Sequence, residues 1–185
     1  MELSADIQRE IQQQFKNSYA QLLGDITCIY EQGAMRDALT GLYNKQAFER
    51  DSTTNHFGFV GILFADINGL KYTNDHFGHS AGDKLIKDFA AKLKETFISP
   101  IYTCYHISGD EFIVAGFDIK IHEFLGSVLS FHKTLWGKDN PPLAALGYSA
   151  GVFSDIAEIT AYAEKAMYAD KQKFYLNCNK KLHTF

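Results

Sequence analysis

The fold of this 185-residue chain is decided by residues 105–116, which read Tyr-His-Ile-Ser-Gly-Asp-Glu-Phe-Ile-Val-Ala-Gly. Two apolar runs, residues 101–107 and 112–115, predict β-strands, and the four residues between them predict the tip of a hairpin. The tip carries two adjacent carboxylates, Asp110 and Glu111, which repel each other unless a cation or a donor-rich ligand lies between them. The tip is therefore either a ligand site or a solvated acidic turn.

A second acidic strand end lies at residues 57–66, which read Phe-Gly-Phe-Val-Gly-Ile-Leu-Phe-Ala-Asp. A nearly continuous apolar run that ends in a carboxylate predicts a buried strand, with Asp66 at the edge of the sheet. Mg²⁺ is bound by a few carboxylate oxygens and completes its octahedron with water and substrate phosphate. Asp66 and the hairpin carboxylates fit this demand, and such sites carry out phosphoryl or nucleotidyl transfer. The alternative is that Asp66 caps the helix that follows, although Asn68 or Thr73 would serve that purpose equally well.

The remaining sequence alternates between helical and strand patterns. We predict helices at residues 45–51, 81–97, 119–136 and 156–174, a strand at 143–153, and a short edge strand in the tail, 175–185. This order predicts an α/β fold in which helices pack around a sheet that contains antiparallel strands.

An amphipathic helix is predicted before this domain, within residues 2–32. Its apolar residues recur every three or four positions: Ile7, Ile11, Phe15, Tyr19, Leu22, Ile26 and Ile29. A single stripe of this kind suits a coiled-coil stalk or packing on the domain, and Ser4 is the predicted N-terminal cap. We place the boundary at Gly33, which leaves a stalk or linker helix at 1–33 and a domain at 34–185.

Composition narrows the functional class. Hydrophobic residues make up 46% and aromatic residues 14% of the chain, which predicts a packed core. The formal net charge of −4 argues against a nucleic-acid binder, which normally has a basic face. The three cysteines form no metal or redox motif, no apolar run approaches the ~20 residues of a membrane span, and the N-terminus lacks a signal-peptide pattern. We therefore expect a cytoplasmic protein with reduced thiols and no membrane span in this chain.

Four segments in order resemble the GGDEF domain, the catalytic module of diguanylate cyclases, which condense two GTP into cyclic di-GMP. They are Arg-Asp-Ala-Leu-Thr-Gly-Leu-Tyr-Asn at 36–44, the stretch 66–83, Ser-Gly-Asp-Glu-Phe at 108–112, and Ala-Glu-Lys-Ala-Met-Tyr-Ala-Asp-Lys at 163–171. The resemblance implies a nucleotide-cyclase-like palm, that is, a ferredoxin-like central sheet surrounded by helices. It also implies a homodimer, because each domain would bind one GTP, and an upstream sensor domain.

The resemblance implies the following roles at the acidic strand ends. Mg²⁺, with Mn²⁺ as an alternative, would bind Asp66, the carbonyl of Ile67, and Asp110. Asp110 is also the candidate proton acceptor for the attacking 3′-hydroxyl, and Glu111 competes with it as base or as ligand of a second metal. Lys71 would neutralise phosphate charge, unless it is an ordinary solvated lysine at a helix start.

Guanine recognition is expected from Asn74 and Asp83. A carboxylate accepts from guanine N1–H and N2–H₂ together, and adenine offers no such donor pair. The alternative for Asp83 is a helix cap near Lys84, and His79, between the two, is either beside the nucleotide or a structural hydrogen-bonder.

Glycines and a further lysine complete the expected binding site. Gly109 tolerates positive φ and lets a ligand approach the backbone closely. Gly78 and Gly82 are expected at backbone turns, and Lys171 is expected to bind phosphate.

Three departures from the family pattern bear on activity. Ser108 replaces the first glycine of the signature, and Asn68 stands where aspartate is frequent. Phe174-Tyr175 replaces a Gly-Arg pair, which removes a phosphate-binding arginine, and Lys173 is a candidate substitute for it. Three functional classes stay open at this point: an active cyclase, a degenerate domain that binds GTP as a regulatory or sensor module, and a pure dimerisation module.

Overall fold

A computed structural model describes residues 5–54, 56–135 and 142–182 of the chain. The chain divides into two compact units, Met1–Arg36 and Asp37–Phe185. The functional division that we placed at residue 33, a stalk before a catalytic domain, stays a prediction.

The first unit is the helix α1, Ala5–Ala34. Four of its large apolar side chains are exposed, and they recur every three or four residues with one adjacent pair: Phe15, Tyr19, Leu22 and Leu23. They therefore form one apolar stripe along the helix. The cap predicted at Ser4 lies outside the described residues.

The second unit is built on a five-stranded sheet in the order β1-β3-β4-β2-β5. The strands are β1 (Tyr43–Asn44), β2 (Phe59–Ile67), β3 (Tyr102–Ser108), β4 (Glu111–Phe117) and β5 (Ala144–Val152). The first pairs parallel with β3, and every other pairing is antiparallel. Among the described residues, five α-helices accompany the sheet: α2 (Lys45–Thr53), α3 (Leu70–Phe77), α4 (His79–Thr96), α5 (Ile121–Thr134) and α6 (Ile156–Leu182). The predicted α/β palm is confirmed.

The central strand β2 separates two apolar layers. Its odd-numbered residues, such as Leu63 and Ala65, belong to a core cluster with Phe89 of α4 and Phe131 of α5. Successive side chains in a strand point to opposite faces, so the even-numbered residues face the other layer, where α6 packs on β2 and β5. Asp66 is even-numbered, so its carboxylate lies on the side of α6.

The helix α6 comes unusually close to the sheet at Gly147. A Cβ at this position would overlap the backbone of α6 at Ala163 and Met167, so only glycine permits this approach. The side chain of Asp170 also accepts a hydrogen bond from the backbone N of Leu146, 3.1 Å away. These contacts fix the position of α6 against the strand that ends beside the acidic cluster.

The prediction of a short edge strand at residues 175–185 is wrong for residues 175–182, which are helical. α6 continues through Leu182 because no glycine or proline interrupts residues 156–182, so nothing stops the helix at Phe174. Residues 183–185 lie outside the described residues. The helix α3 was not predicted as a separate element; glycines with positive φ, Gly69 and Gly78, bound it on both sides.

Candidate active site

The hairpin tip and the end of β2 bring the predicted metal ligands together. Asp66, the penultimate residue of β2, pairs directly with Glu111, the first residue of β4. At the tip Gly109 has φ 45°, as expected for a tight turn. The backbone carbonyl of Asp110 accepts a hydrogen bond from the N–H of Ile67, 2.9 Å away. Two segments that are distant in sequence thus meet at one edge of the sheet, Asp66 and Ile67 from the first and Asp110 and Glu111 from the second.

A lysine from α6 joins this acidic cluster. Lys171 Nζ lies 2.5 Å from Asp66 Oδ1 and 3.3 Å from Asp110 Oδ2. The Asp66 side chain is only 6% exposed. Burial and the nearby charge of Asp110 raise the pKa of Asp66 to about 6, although Lys171 opposes the shift. Burial opposes the charge of Lys171, but the two carboxylates outweigh it and raise the pKa of this lysine.

The donor set suits Mg²⁺. The carboxylates of Asp66 and Asp110 already share one cation, the ammonium of Lys171, so their oxygens converge. Within the described part of the chain, no group of three or more His, Cys, Asp or Glu side chains is arranged to hold a metal. A metal here would therefore use these two carboxylates, the backbone oxygen of Ile67, and water or phosphate, which matches the preference of Mg²⁺ for few protein ligands.

The predicted guanine-binding residues lie on the hairpin formed by α3 and α4. Asn74 is on α3, while His79 and Asp83 are exposed in the first turns of α4. Gly78 forms the turn between the helices, with φ 82°. The expectation that Gly82 also serves a turn is wrong. It lies buried inside α4, and a Cβ there would overlap the Asn74 side-chain oxygen, so Gly82 makes room for Asn74.

The capping alternatives do not fit this part of the structure. The N-terminal cap of α3 is Gly69, without a side-chain hydrogen bond, so neither Asp66 nor Asn68 caps that helix. Asn68 instead donates from Nδ2 to the carbonyl of Pro142, 3.0 Å away. Asp83 lies within α4, which begins at His79, so it does not cap the helix.

A cleft of about 660 Å³ opens beside the acidic cluster. Its lining includes the three carboxylates of the acidic cluster and a fourth, Glu164 of α6. Four further polar α6 residues that sequence reasoning did not place there also line it: Lys165, Tyr168, Gln172 and Tyr175. Helical spacing carries the signal that was missed, because residues three, four or seven apart share a face of the helix. The volume lies within the range of small-molecule sites.

Two predicted phosphate-binding lysines do not line this cleft. Lys71 is exposed on α3 and has no hydrogen bond or ion pair within the described residues. Lys173 is exposed on α6 and is not part of the lining, and its substitution for the missing arginine stays a prediction. Tyr175 lines the cleft instead, and Lys165 supplies the second lysine there.

Two hydrogen bonds shape the hairpin tip. Ser108 Oγ donates to Glu111 Oε2 over 2.8 Å, a bond that glycine at this position cannot make. His106, which sequence reasoning missed, contacts the Gly109 carbonyl with Nε2 at 3.0 Å and Asp37 Oδ1 with Nδ1 at 2.9 Å. Both partners of the ring are oxygen atoms that accept hydrogen bonds. His106 thus ties the tip to the loop that precedes β1.

The family model for "Diguanylate cyclase, GGDEF domain" matches residues 34–174. The chain belongs to the GGDEF domain family. Diguanylate cyclase VdcA of Vibrio cholerae is 37% identical over 84 residues, which cover 44% of this chain and 24% of that protein. Diguanylate cyclase DgcN of Escherichia coli is 27% identical over 158 residues, or 75% of this chain and 38% of that protein. The chain thus spans well under half the length of these relatives.

Solved structures agree with the fold. The coiled coil and GGDEF domain of DgcB from Caulobacter crescentus, in complex with c-di-GMP, matches with a TM-score of 0.69 at 18% identity. The match covers 89% of this chain and 94% of that chain. No described helix is long and apolar enough to cross a membrane.

Proposed function

We propose that this GGDEF domain is an active diguanylate cyclase that condenses two GTP into cyclic di-GMP and pyrophosphate, with Mg²⁺ or Mn²⁺, at an antiparallel dimer interface. The observation that carries the proposal is the convergence of Asp66 and Asp110 on one cation at the rim of a cleft of nucleotide size. In a GGDEF domain, this constellation is suited to nucleotidyl transfer.

The residues of the acidic cluster have two proposed roles, metal binding and proton acceptance. Asp66, Asp110 and the Ile67 carbonyl are the proposed metal ligands, and the metal would neutralise charge that develops on the phosphate oxygens. Asp110 or Glu111 accepts the proton of the 3′-hydroxyl. Each carboxylate already has one oxygen engaged, that of Glu111 by Ser108 and that of Asp110 by Lys171, so the choice between the two stays open.

The remaining residues bind and orient the nucleotide. Asn74 and Asp83 recognise guanine, with His79 beside them. Lys171 inside the cleft and Lys71, which reaches the phosphates from α3 outside its lining, supply positive charge, and Gly109 keeps the tip open to the ligand. The close fit of Asn74 against Gly82 supports a fixed orientation of that amide.

Catalysis requires two copies, because each domain supplies one GTP and the 3′-hydroxyl of each must reach the other's α-phosphate. The exposed apolar stripe of α1 supports pairing through this helix. An upstream sensor domain would act through the same helix. The greater length of the relatives is compatible with this arrangement.

The second candidate is a degenerate domain that binds GTP as a regulatory or sensor module. Its support is Tyr175, which lines the cleft at the site of the missing arginine. Without that arginine the cleft has one cation fewer for the triphosphate.

Incubation of the purified chain with GTP and Mg²⁺, followed by chromatography and mass analysis, tests the proposal. Asp110→Ala is the control, and the protein concentration is varied. We expect cyclic di-GMP from the parent alone, with a rate that rises faster than linearly with concentration. GTP binding without product at every concentration would favour the degenerate module, and no binding at all would favour a dimerisation module.

A further inference from the structure

One ammonium group lies where the two proposed metal ligands meet. Lys171 Nζ contacts an oxygen of Asp66 and an oxygen of Asp110, which come from β2 and from the hairpin tip. Its side chain is 20% exposed, so the contact is largely shielded from water. A lysine in this position competes directly with any other cation for the same carboxylates.

We propose that Lys171 is an exchangeable counter-ion: it occupies the cation position between Asp66 and Asp110 in the metal-free protein, and it leaves for the phosphates of the nucleotide when a divalent cation is bound. This inference rests on the proposed function, because it takes Asp66 and Asp110 as metal ligands.

Electrostatics favours both positions of Lys171, between the carboxylates without a metal and away from them with one. Two ionised carboxylates without a cation carry two negative charges at short distance, and Lys171 cancels one of them. A divalent cation cancels both charges of this pair and binds the same oxygens, so Lys171 loses its place between them and is repelled by the metal. Lys171 therefore has a reason to stay while the metal is absent and a reason to leave once it is present.

The structure restricts the exchange to a side-chain movement. The α6 backbone is held against β5 at Gly147 and through Asp170, the neighbour of Lys171. The lysine has a flexible four-carbon stem and lines the cleft of about 660 Å³. The same side chain can therefore reach from the carboxylates to an anion in the cleft without movement of the helix.

Metal and nucleotide should consequently assist each other. The phosphates attract Lys171 away from the carboxylates, which frees the ligands for the metal, and the metal in turn releases Lys171 for the phosphates. Coupling of this kind is reciprocal. A lysine that were only a structural ion pair would stay in place and would give no such coupling.

Binding of Mn²⁺ to the nucleotide-free protein, followed by the electron paramagnetic resonance signal of free Mn²⁺, tests the exchange. We expect Lys171→Met to bind Mn²⁺ at least about tenfold more tightly than the parent, the usual size of the effect of one nearby charge. The same variant should bind GTP more weakly. Lys165→Met is the matched control, because it removes the same charge from the same cleft lining without a carboxylate contact, and it should change Mn²⁺ affinity about twofold at most. Equal or weaker Mn²⁺ binding by Lys171→Met would overturn the inference.

A second measurement uses the parent chain and does not depend on the folding of a variant. Reductive methylation with mass-spectrometric readout reports how accessible each lysine amine is. Saturating Mg²⁺ without nucleotide should raise the labelling of Lys171 several-fold and leave that of Lys165 unchanged. Unchanged or reduced labelling of Lys171 would contradict the exchange even in a chain that produces cyclic di-GMP. Conversely, increased labelling of Lys171 in a chain that makes no cyclic di-GMP would support the exchange and contradict the proposed cyclase activity.

Discussion

Asp37, in the loop before β1, and Asp66, near the end of β2, have very different surroundings. Asp37 accepts hydrogen bonds from the backbone N of Thr40 at 2.8 Å, from its hydroxyl at 2.6 Å, and from His106 at 2.9 Å. Burial works against its ionised form, but these donors outweigh it and lower its pKa. Asp66 has Lys171 as its cation, and burial raises its pKa to about 6.

The difference separates a structural carboxylate from one suited to a ligand. Asp37 accepts three hydrogen bonds on Oδ1 from donors of its own domain, which close the loop before β1 and reach the hairpin tip through His106. Asp66 and Asp110 share one ammonium, that of Lys171, at the rim of a cleft, so a divalent cation would neutralise them more completely. Both aspartates lie in motifs of the same family, yet we assign the first to folding and the second to chemistry.

Loss of the hydrogen bonds that Asp37 accepts should have the largest effect on stability. Asp37→Ala leaves the N–H groups of Thr40 and His106 without their acceptor, and we expect a loss of about 2–3 kcal/mol in the free energy of unfolding. Urea unfolding measures it. Asp88→Ala, which removes an exposed helix-surface pair with Lys84, is the control and should change stability little. Similar values for both variants would mean that the Asp37 cluster is not a structural lock.

A steric change on the nucleotide side should act on binding alone. The Cβ of Gly82→Ala would displace the Asn74 amide, and the loss of one hydrogen bond corresponds to about tenfold weaker GTP binding. Isothermal titration calorimetry measures the affinity. Gly126→Ala is the matched control, since Gly126 lies in α5 and its added Cβ would meet no atom within 4 Å, so the GTP affinity of this variant should not change. Unchanged affinity in Gly82→Ala would remove Asn74 from the guanine site.

The two aspartates should also give opposite pH dependence of stability in metal-free buffer. The folded pKa of Asp37 lies below 3.8, so its stabilisation is present above that pH and is lost as pH falls further. The folded pKa of Asp66 lies at about 6, above its ordinary 3.8, so its favourable contribution is complete at low pH and is lost as pH rises through 6.

Asp66→Asn should therefore abolish a fall in stability between about pH 4 and 6 that is on the order of 1 kcal/mol. Unfolding in urea across this pH range, with a chelator present, measures the slope. Asp37→Asn should keep that fall and lose only the drop at more acidic pH. Parallel curves for the parent and Asp66→Asn would show that burial of this carboxylate has no energetic consequence.

The smallest effect is expected at the hairpin tip. Ser108→Gly removes the hydroxyl that holds Glu111, so turnover should change by about two- to fivefold without a change in thermal stability, as for one partly exposed hydrogen bond. Ser108→Thr keeps the hydroxyl and should behave like the parent. If both variants alter turnover equally, the hydroxyl is not the cause.

Much of the sheet could be predicted, because β2 and β4 show nearly continuous apolar runs and one glycine-containing turn separates β4 from the largely apolar β3. The acidic cluster followed from the same pattern, since Asp66 and Asp110 lie at strand ends. The Lys171 contact spans 105 residues, and no local pattern indicates that this lysine binds carboxylates rather than phosphate. His106 was missed for the same reason, and the role of Gly82 depends on how closely two helices pack. The prediction of a strand in the tail failed because the aromatic residues there suit a strand as well as a helix.

Product formation per folded molecule in Asp66→Asn and Asp37→Asn tests the central division most directly. Both proteins are assayed with GTP and Mg²⁺ at matched folded concentration, and cyclic di-GMP is quantified by mass. We predict that Asp66→Asn folds but loses at least about 100-fold in rate, while Asp37→Asn is less stable yet stays within tenfold of the parent. A catalytically competent Asp66→Asn beside a well-folded but inactive Asp37→Asn would contradict the account.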